Sequence, residues 1–141
     1  MAIKKMGFQG EIYQGPAGTQ APNRITNRRD ITETFDIGEG DTTEAGDGTN
    51  PPIETSSVTS RKYGIEWNML NKVGDTNLVS LMAAAVLGTP VAIRTKSYAS
   101  GLGFDGDMII KVKRGMPLKG EQTLDFSGTP NDDYRAPLLN V

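Results

Sequence analysis

Only one stretch of the chain, Asn77 to Leu87, carries a helical period, and segments that alternate apolar and polar residues with period two flank it on both sides. From Arg24 to Ile37, Ile25, Ile31, Phe35 and Ile37 fall on odd positions, with Thr26, Arg28, Asp30, Thr32, Thr34 and Asp36 between them. That pattern predicts a strand with one buried and one wet face. From Ser57 to Asn71 the alternation returns, with Tyr63, Ile65, Trp67 and Met69 on one face and Trp67 as the expected core anchor. Three more strands are predicted after the helix, at Pro90–Tyr98, Phe104–Arg114 and Gln122–Phe126, separated by the glycine-rich turn at residues 101–106 and by Arg114–Pro117. The tail from Ser127 to Val141 is turn-rich and is expected to be extended. Strands on either side of a single helix, without βαβ alternation, predict a mainly β fold. The expected form is an antiparallel β-sandwich or barrel with one flanking α-helix, in one domain spanning residues 1–141.

The helix has clear ends. Lys72–Thr76 breaks the preceding strand and offers Asp75 or Thr76 as N-cap, while Gly88 and Pro90 stop the helix at its other end. Leu78, Leu81, Met82, Ala85 and Val86 follow the stripe expected to face the core. The opposite face holds Val79, Ala83 and Ala84, with Asn77 and Ser80 its only polar positions and no charge. A helix that is apolar almost all round is covered on both sides. Val79, Ala83 and Ala84 are therefore the expected face toward another chain, the alternative being a helix sunk in its own sheet.

Between the first two predicted strands lies a different composition. Asp36 to Glu54 has six acidic residues (Asp36, Glu39, Asp41, Glu44, Asp47 and Glu54), no basic ones, four glycines and the Pro51-Pro52 pair. It reads as a long acidic loop over residues 36 to 56, either solvated and flexible or an arm that orders against a partner. Charge is segregated along the chain: residues 1–60 hold nine acids and five bases, and residues 61–141 eight acids and ten bases.

Composition narrows the chemistry. There is no cysteine and no histidine, which excludes disulfides, thiol nucleophiles, Ser-His-Asp machinery and imidazole-ligated zinc. The formal net charge of −2 lacks the basic excess of a freestanding nucleic-acid binder. Glutamate pairs such as Glu54 with Glu66 carry no weight without a cleft. Gly101, Gly103 and Gly106 are followed by a strand and not by a helix, so they read as a turn and not a phosphate loop. Asp41, Glu44, Asp47 and Asn50 could offer oxygen ligands to calcium, but they depart from the spacing of a calcium loop and lack its closing glutamate. No catalytic residue, cofactor or metal site is expected. The apolar run Leu81–Leu87 is far short of the roughly 20 residues a membrane span needs, and Met1–Gly10 has no apolar stretch behind its lysines. The expectation is a chain made soluble in a cytoplasm.

Arg94, Lys96, Lys111, Lys113 and Arg114 fall on two strands expected to be neighbours. They read as a solvated strand face or as an interface for an acidic surface, for which the acidic loop of a second copy is the natural candidate. Such a contact is head-to-tail and generates rings or filaments.

The segment Gly74 to Thr129, two-fifths of the chain, resembles the tail tube proteins of long-tailed bacteriophages and gene transfer agents. The resemblance rests on the capped, alanine-rich helix ending in Gly88-Thr89-Pro90, the strand after it, and Phe104-Asp105-Gly106-Asp107 opening the next strand. The turn Met116-Pro117-Leu118-Lys119-Gly120-Glu121 and a closing strand at Thr123–Phe126 complete it. The resemblance implies a non-enzymatic structural subunit, related also to type VI secretion tubes. It would assemble in the host bacterium into hexameric rings stacked as a hollow virion tail tube, alongside other tail proteins. DNA would pass through an acidic lumen without specific binding, with Asp30, Asp105 and Asp107 as candidate lumen residues. The acidic loop then corresponds to an inter-ring loop. The alternatives are a tail-completion or connector protein, a secretion-system tube of the same fold, or a monomeric module whose acidic loop binds calcium.

Overall fold

The computed structural model describes residues 3–46, 48–49, 51–131, 135 and 138–140. Its strands are β1 (Glu11–Pro16), β2 (Asn23–Arg24), β3 (Arg28–Asp41), β4 (Ser56–Leu70), β5 (Val91–Lys96), β6 (Gly103–Gly115), β7 (Thr123–Pro130) and β8 (Leu138–Asn140). Among the described residues the one α-helix, α1, is Thr76–Leu87, and a single 3-10 turn spans Gly7–Gln9. The chain divides into two compact units: residues 1–33 with 64–141, and residues 34–63.

In the larger unit, strands pair antiparallel in the order β2-β1-β5-β6-β7-β4, and β8 extends the β7 side of β6 by pairing Asp105 with Leu138 and Gly103 with Asn140. Among the described residues the strands form one antiparallel hydrogen-bonded path. One helix is enough to cover a sheet that is apolar on only one face. Alternation decides which face that is: Ile12, Ile93, Met108, Ile110, Leu124, Phe126, Ile65, Trp67 and Met69 are all buried. Register places Trp67 opposite Phe126, and their rings stack 5.4 Å apart between centroids. Trp67 is thus the expected core anchor.

The predicted helix is present and one residue longer at its start. Asp75 is the N-cap, its carboxylate accepting from the backbone N–H groups of Asn77 (3.1 Å) and Leu78 (3.4 Å). Gly88 takes the left-handed conformation (φ 71°) that ends the helix without a Cβ penalty. The helix lies against β6. Its buried residues are Leu78, Leu81 and Ala84. Gly103, which opens β6, is held to glycine by the close approach of the Thr95 carbonyl, where any Cβ would collide. Three elements escaped the sequence pattern: β1 lies before the first predicted strand, β2 shares only Arg24 with it, and β8 lies in the predicted tail.

The smaller unit is a two-stranded ribbon made of the outer parts of β3 and β4. The segment expected to be loop from Asp36 onward is strand as far as Asp41. The serine- and threonine-rich start of β4 suits an extended, solvated ribbon, and Gly38 and Gly40 let Ser60 and Thr59 of the facing strand approach closely. The irregular connection therefore shortens to the residues between Asp41 and Ser56. Phe35 and Ile37, expected on a buried face, are 58% and 51% exposed, because the ribbon has no layer packed over it within its own unit.

Candidate functional site

The acidic ribbon is closed by a network of threonines. The Thr42 N–H donates to the Thr55 carbonyl at 3.0 Å, the two hydroxyls meet at 2.8 Å, and the Thr55 N–H donates to Thr43 Oγ1 at 3.0 Å. The Thr43 N–H donates to the Asp41 carboxylate (2.9 Å). Hydrogen bonds from Thr43 hold Asp41 below the ordinary carboxyl pKa. Of the acids expected on one loop, Asp36, Glu39 and Asp41 stand on β3, Glu44 and Glu54 on the connection, and Asp47 (with Asn50) lies outside the described residues. Phe35 packs on Tyr63 with ring centroids 5.3 Å apart, while Ile53 and Val58 are 81% and 60% exposed.

On α1, the outward face is rotated relative to expectation. Val79 and Ala83 are exposed, as expected of a partner face, but Ala84 is buried at 6% exposure. Val86, placed on the core stripe by spacing, is 77% exposed, as is Leu87. The buried line runs Leu78–Leu81–Ala84, so the small Ala84 sits where the helix meets the sheet and the bulkier Val86 faces out. The outward apolar face is therefore Val79, Ala83, Val86 and Leu87.

The five basic residues do not form one cluster. β5 and β6 are neighbours as expected, but register sets Arg94 opposite Asp105, while Lys111, Lys113 and Arg114 lie beyond the start of β5. Lys111 is six residues from Asp105, roughly 20 Å along the strand. Arg94 and Lys96 instead converge on Tyr13, the guanidinium 4.1 Å and the ammonium 5.9 Å from the ring centroid. The Tyr13 hydroxyl donates to the Glu11 carboxylate (3.1 Å). Burial first, and then Glu11, raises the Tyr13 pKa. Arg114 has the opposite parity from Lys111 and Lys113, so β6 turns it to the other face.

Lys111 and Lys113 line a polar groove on the uncovered face of the sheet, with Asp30, Thr32, Glu66, Asn68, Asp125 and Ser127. The groove is built in cross-strand rows: Lys111 faces Ser127, which faces Glu66, and Lys113 faces Asp125, which faces Asn68. Asn68 Oδ1 accepts the Asp30 N–H at 2.9 Å.

Asp105 and Asp107, candidates for a lumen lining, are instead held by Arg135. The guanidinium grips Asp105 through two hydrogen bonds of 2.8 and 2.9 Å, and its Nε reaches Asp107 Oδ1 at 3.3 Å. The Asp107 carboxylate is fully buried and also accepts the Gly18 N–H at 3.1 and 3.0 Å. These bonds, to Asp105 above all, raise the Arg135 pKa. The arrangement fastens the C-terminal segment to β6 in the gap between β7 and β8, where the Asp107 N–H also donates to the Arg135 carbonyl. No local pattern could have flagged it, since Arg135 stands alone in a turn-rich tail.

Among the described residues no three metal-ligating side chains converge, and no helix is long and apolar enough to cross a membrane. No protein-family model matches the chain, and no curated protein matches it. Solved structures do. A subunit from the tail of an empty gene transfer agent (GTA) particle, computed by helical refinement with C6 symmetry, matches with a TM-score of 0.78 at 14% identity, covering 98% of this chain and 100% of that one. A chain of the native GTA virion matches at 0.72 with the same identity and coverage. The SPP1 tail tube matches at 0.66 and 14% identity, covering 97% of this chain and 79% of that one. Across nearly its whole length, the chain has the fold seen in the tails of phage and gene transfer agent particles.

Proposed function

We propose that the chain is the repeating subunit of a virion tail tube, a structural and not a catalytic part, assembled as hexameric rings that stack around a hollow conduit for DNA. The observation that carries this reading is the end-to-end likeness, at a TM-score of 0.78, to a subunit of a six-fold GTA tail. The chain's own surfaces support it. A two-stranded ribbon is marginal by itself in water, and this one leaves Phe35, Ile37, Ile53 and Val58 exposed. Covering it with an adjacent ring supplies the missing layer. The outward helix face of Val79, Ala83, Val86 and Leu87 is covered by a further copy. The carboxylates of the ribbon, Asp36, Glu39, Asp41, Glu44 and Glu54, meet Arg94 and Lys96 of a neighbour in a head-to-tail contact, the geometry that closes rings and extends filaments. Assembly takes place in the host cytoplasm.

Negative-stain electron microscopy of the purified chain at high concentration, with and without a tail-tip extract, tests the reading. Hollow rings or tubes are expected. A variant in which a two-residue turn replaces residues 43–54 is expected to fold and to make no long tubes. A chain that stays a 15.2 kDa monomer with the extract present overturns the proposal.

A further inference from the structure

On the tail-tube reading the uncovered sheet face lines the conduit; we infer that on it Asp125 and Glu66 mask Lys113 and Lys111 from a passing polyanion. The inference rests on that reading and adds how the face is kept from holding its cargo.

The two sides of this unit differ in kind. Beyond the helix, Val79, Val86 and Leu87 are largely exposed, a surface suited to another protein and not to a water-filled channel. The groove on the opposite side is lined by eight charged or polar residues; Trp67, Val112 and Phe126 also border it, but alternation turns them toward the core, where Trp67 and Phe126 are buried. Ile109, 38% exposed, is the one large apolar side chain turned to that side on β6 and β7 among the described residues. A hydrated polymer slides over the second kind of surface.

The charges on that surface are mixed. Two lysines pointing into a conduit would each contact phosphate and release counterions, and repeated around every ring they would retain duplex DNA. Register answers this. Lys113 is directly opposite Asp125, and Lys111 is separated from Glu66 only by Ser127. Directly opposed side chains on antiparallel strands have Cβ atoms about 5 Å apart, inside a Debye length of about 8 Å at physiological salt. Lys113 therefore sits within a Debye length of the Asp125 carboxylate, while Lys111 and Glu66, two strand spacings (about 10 Å) apart, approach across the small Ser127 only through the reach of their long side chains. With Asp30, the groove carries three carboxylates against two ammoniums, a net charge of −1. Glu66→Gln with Asp125→Asn changes this to +1 while altering only exposed side chains.

The test compares tubes of the wild type, of E66Q/D125N, and of E66Q/D125N with K111Q/K113Q, each assembled with a short fluorescent DNA duplex present. Nuclease is then added, and the tubes are pelleted. The doubly neutralised tubes are expected to retain several-fold more nuclease-protected duplex than wild type. That excess should fall at least about tenfold between roughly 50 and 200 mM salt, the drop for two phosphate contacts on a single subunit, and should vanish in the quadruple variant. Variant tubes that are normal by microscopy but trap no more duplex than wild type overturn the masking. Duplex that binds but stays fully nuclease-sensitive overturns the conduit assignment. Should the paired variant fail to fold, D125N and E66Q are read singly, each expected to give part of the excess. Failure of the wild type to form rings or tubes counts instead against the tail-tube reading.

Discussion

Removing Arg135 is expected to unfold the larger unit at markedly lower denaturant, although the residue itself belongs to no strand or helix. Its guanidinium is the cation that faces Asp107, whose side chain is fully buried, at 3.3 Å. Breaking a buried ion pair by deleting one partner costs about 3–5 kcal/mol, because the remaining charge stays out of water. Here Asp107 keeps the Gly18 N–H on both its oxygens, which places the expected loss near the lower end, about 3 kcal/mol. Asp105 loses its two-point grip as well, but it is 13% exposed and can recover water. Arg135→Met keeps part of the stem and removes the charge. With a urea m-value of about 2 kcal/mol/M, the midpoint should fall by about 1.5 M. Asp107→Asn combined with Arg135→Met removes the stranded charge and should recover about half of the loss, a coupling large enough for a double-mutant cycle to resolve. A loss below about 1 kcal/mol, the value of an exposed pair, or simple additivity in the double variant, would refute this account.

Two further outcomes follow from the helix and from Tyr13. Ala84→Glu, which forces a charge into the helix–sheet contact, should cost about 3 kcal/mol in urea unfolding. Val86→Glu on the outward face should stay within about 0.5 kcal/mol yet prevent tubes in negative stain; equal effects of the two on stability would contradict the observed rotation of the helix. The Tyr13 pKa is raised on folding, so the folded state holds the phenol proton more tightly. Its contribution is complete below the unfolded value of 10.0 and is lost as pH rises through the folded value. Tyr13→Phe should therefore flatten the alkaline fall in stability, and an unchanged slope above pH 10 would count against it.

Most of the fold was legible wherever burial and periodicity agree. The run Tyr63-Ile65-Trp67-Met69 is buried on one face, and the capped helix sits within a residue of its expected start. Legibility failed in three places, each for a physical reason. Acid and glycine content suggested a loop from Asp36, but extended backbone tolerates alternating carboxylates when both faces are wet, and β3 continues to Asp41. Helical spacing alone could not say whether the buried line bends toward Ala84 or Val86, because every candidate side chain was apolar and only packing against β6 decides. The basic residues looked like one patch because strand adjacency was foreseeable and register was not; a six-residue offset puts Arg94 and Lys111 at different ends of the sheet.

The distribution of exposed side chains joins these observations into one argument. In the larger unit, exposed apolar residues lie on the helix (Val79, Val86, Leu87), in the N-terminal segment (Ile3, Met6, Phe8), in the connections (Val73, Leu102, Met116, Leu118) and on β8 (Leu138, Leu139), and in the smaller unit on the ribbon (Phe35, Ile37, Ile53, Val58). The polar groove carries almost none. A monomer selected for life in water would have no reason to keep its apolar residues on the ribbon and helix and its paired charges on the sheet. A subunit that meets protein on the first surfaces and solvent or cargo on the last has such a reason. Each surface also answers to its own variant: Val86→Glu acts on assembly without touching the groove, and E66Q/D125N acts on the groove without touching assembly. If either substitution produced the other's effect, the assignment of surfaces would be wrong even with tubes in hand.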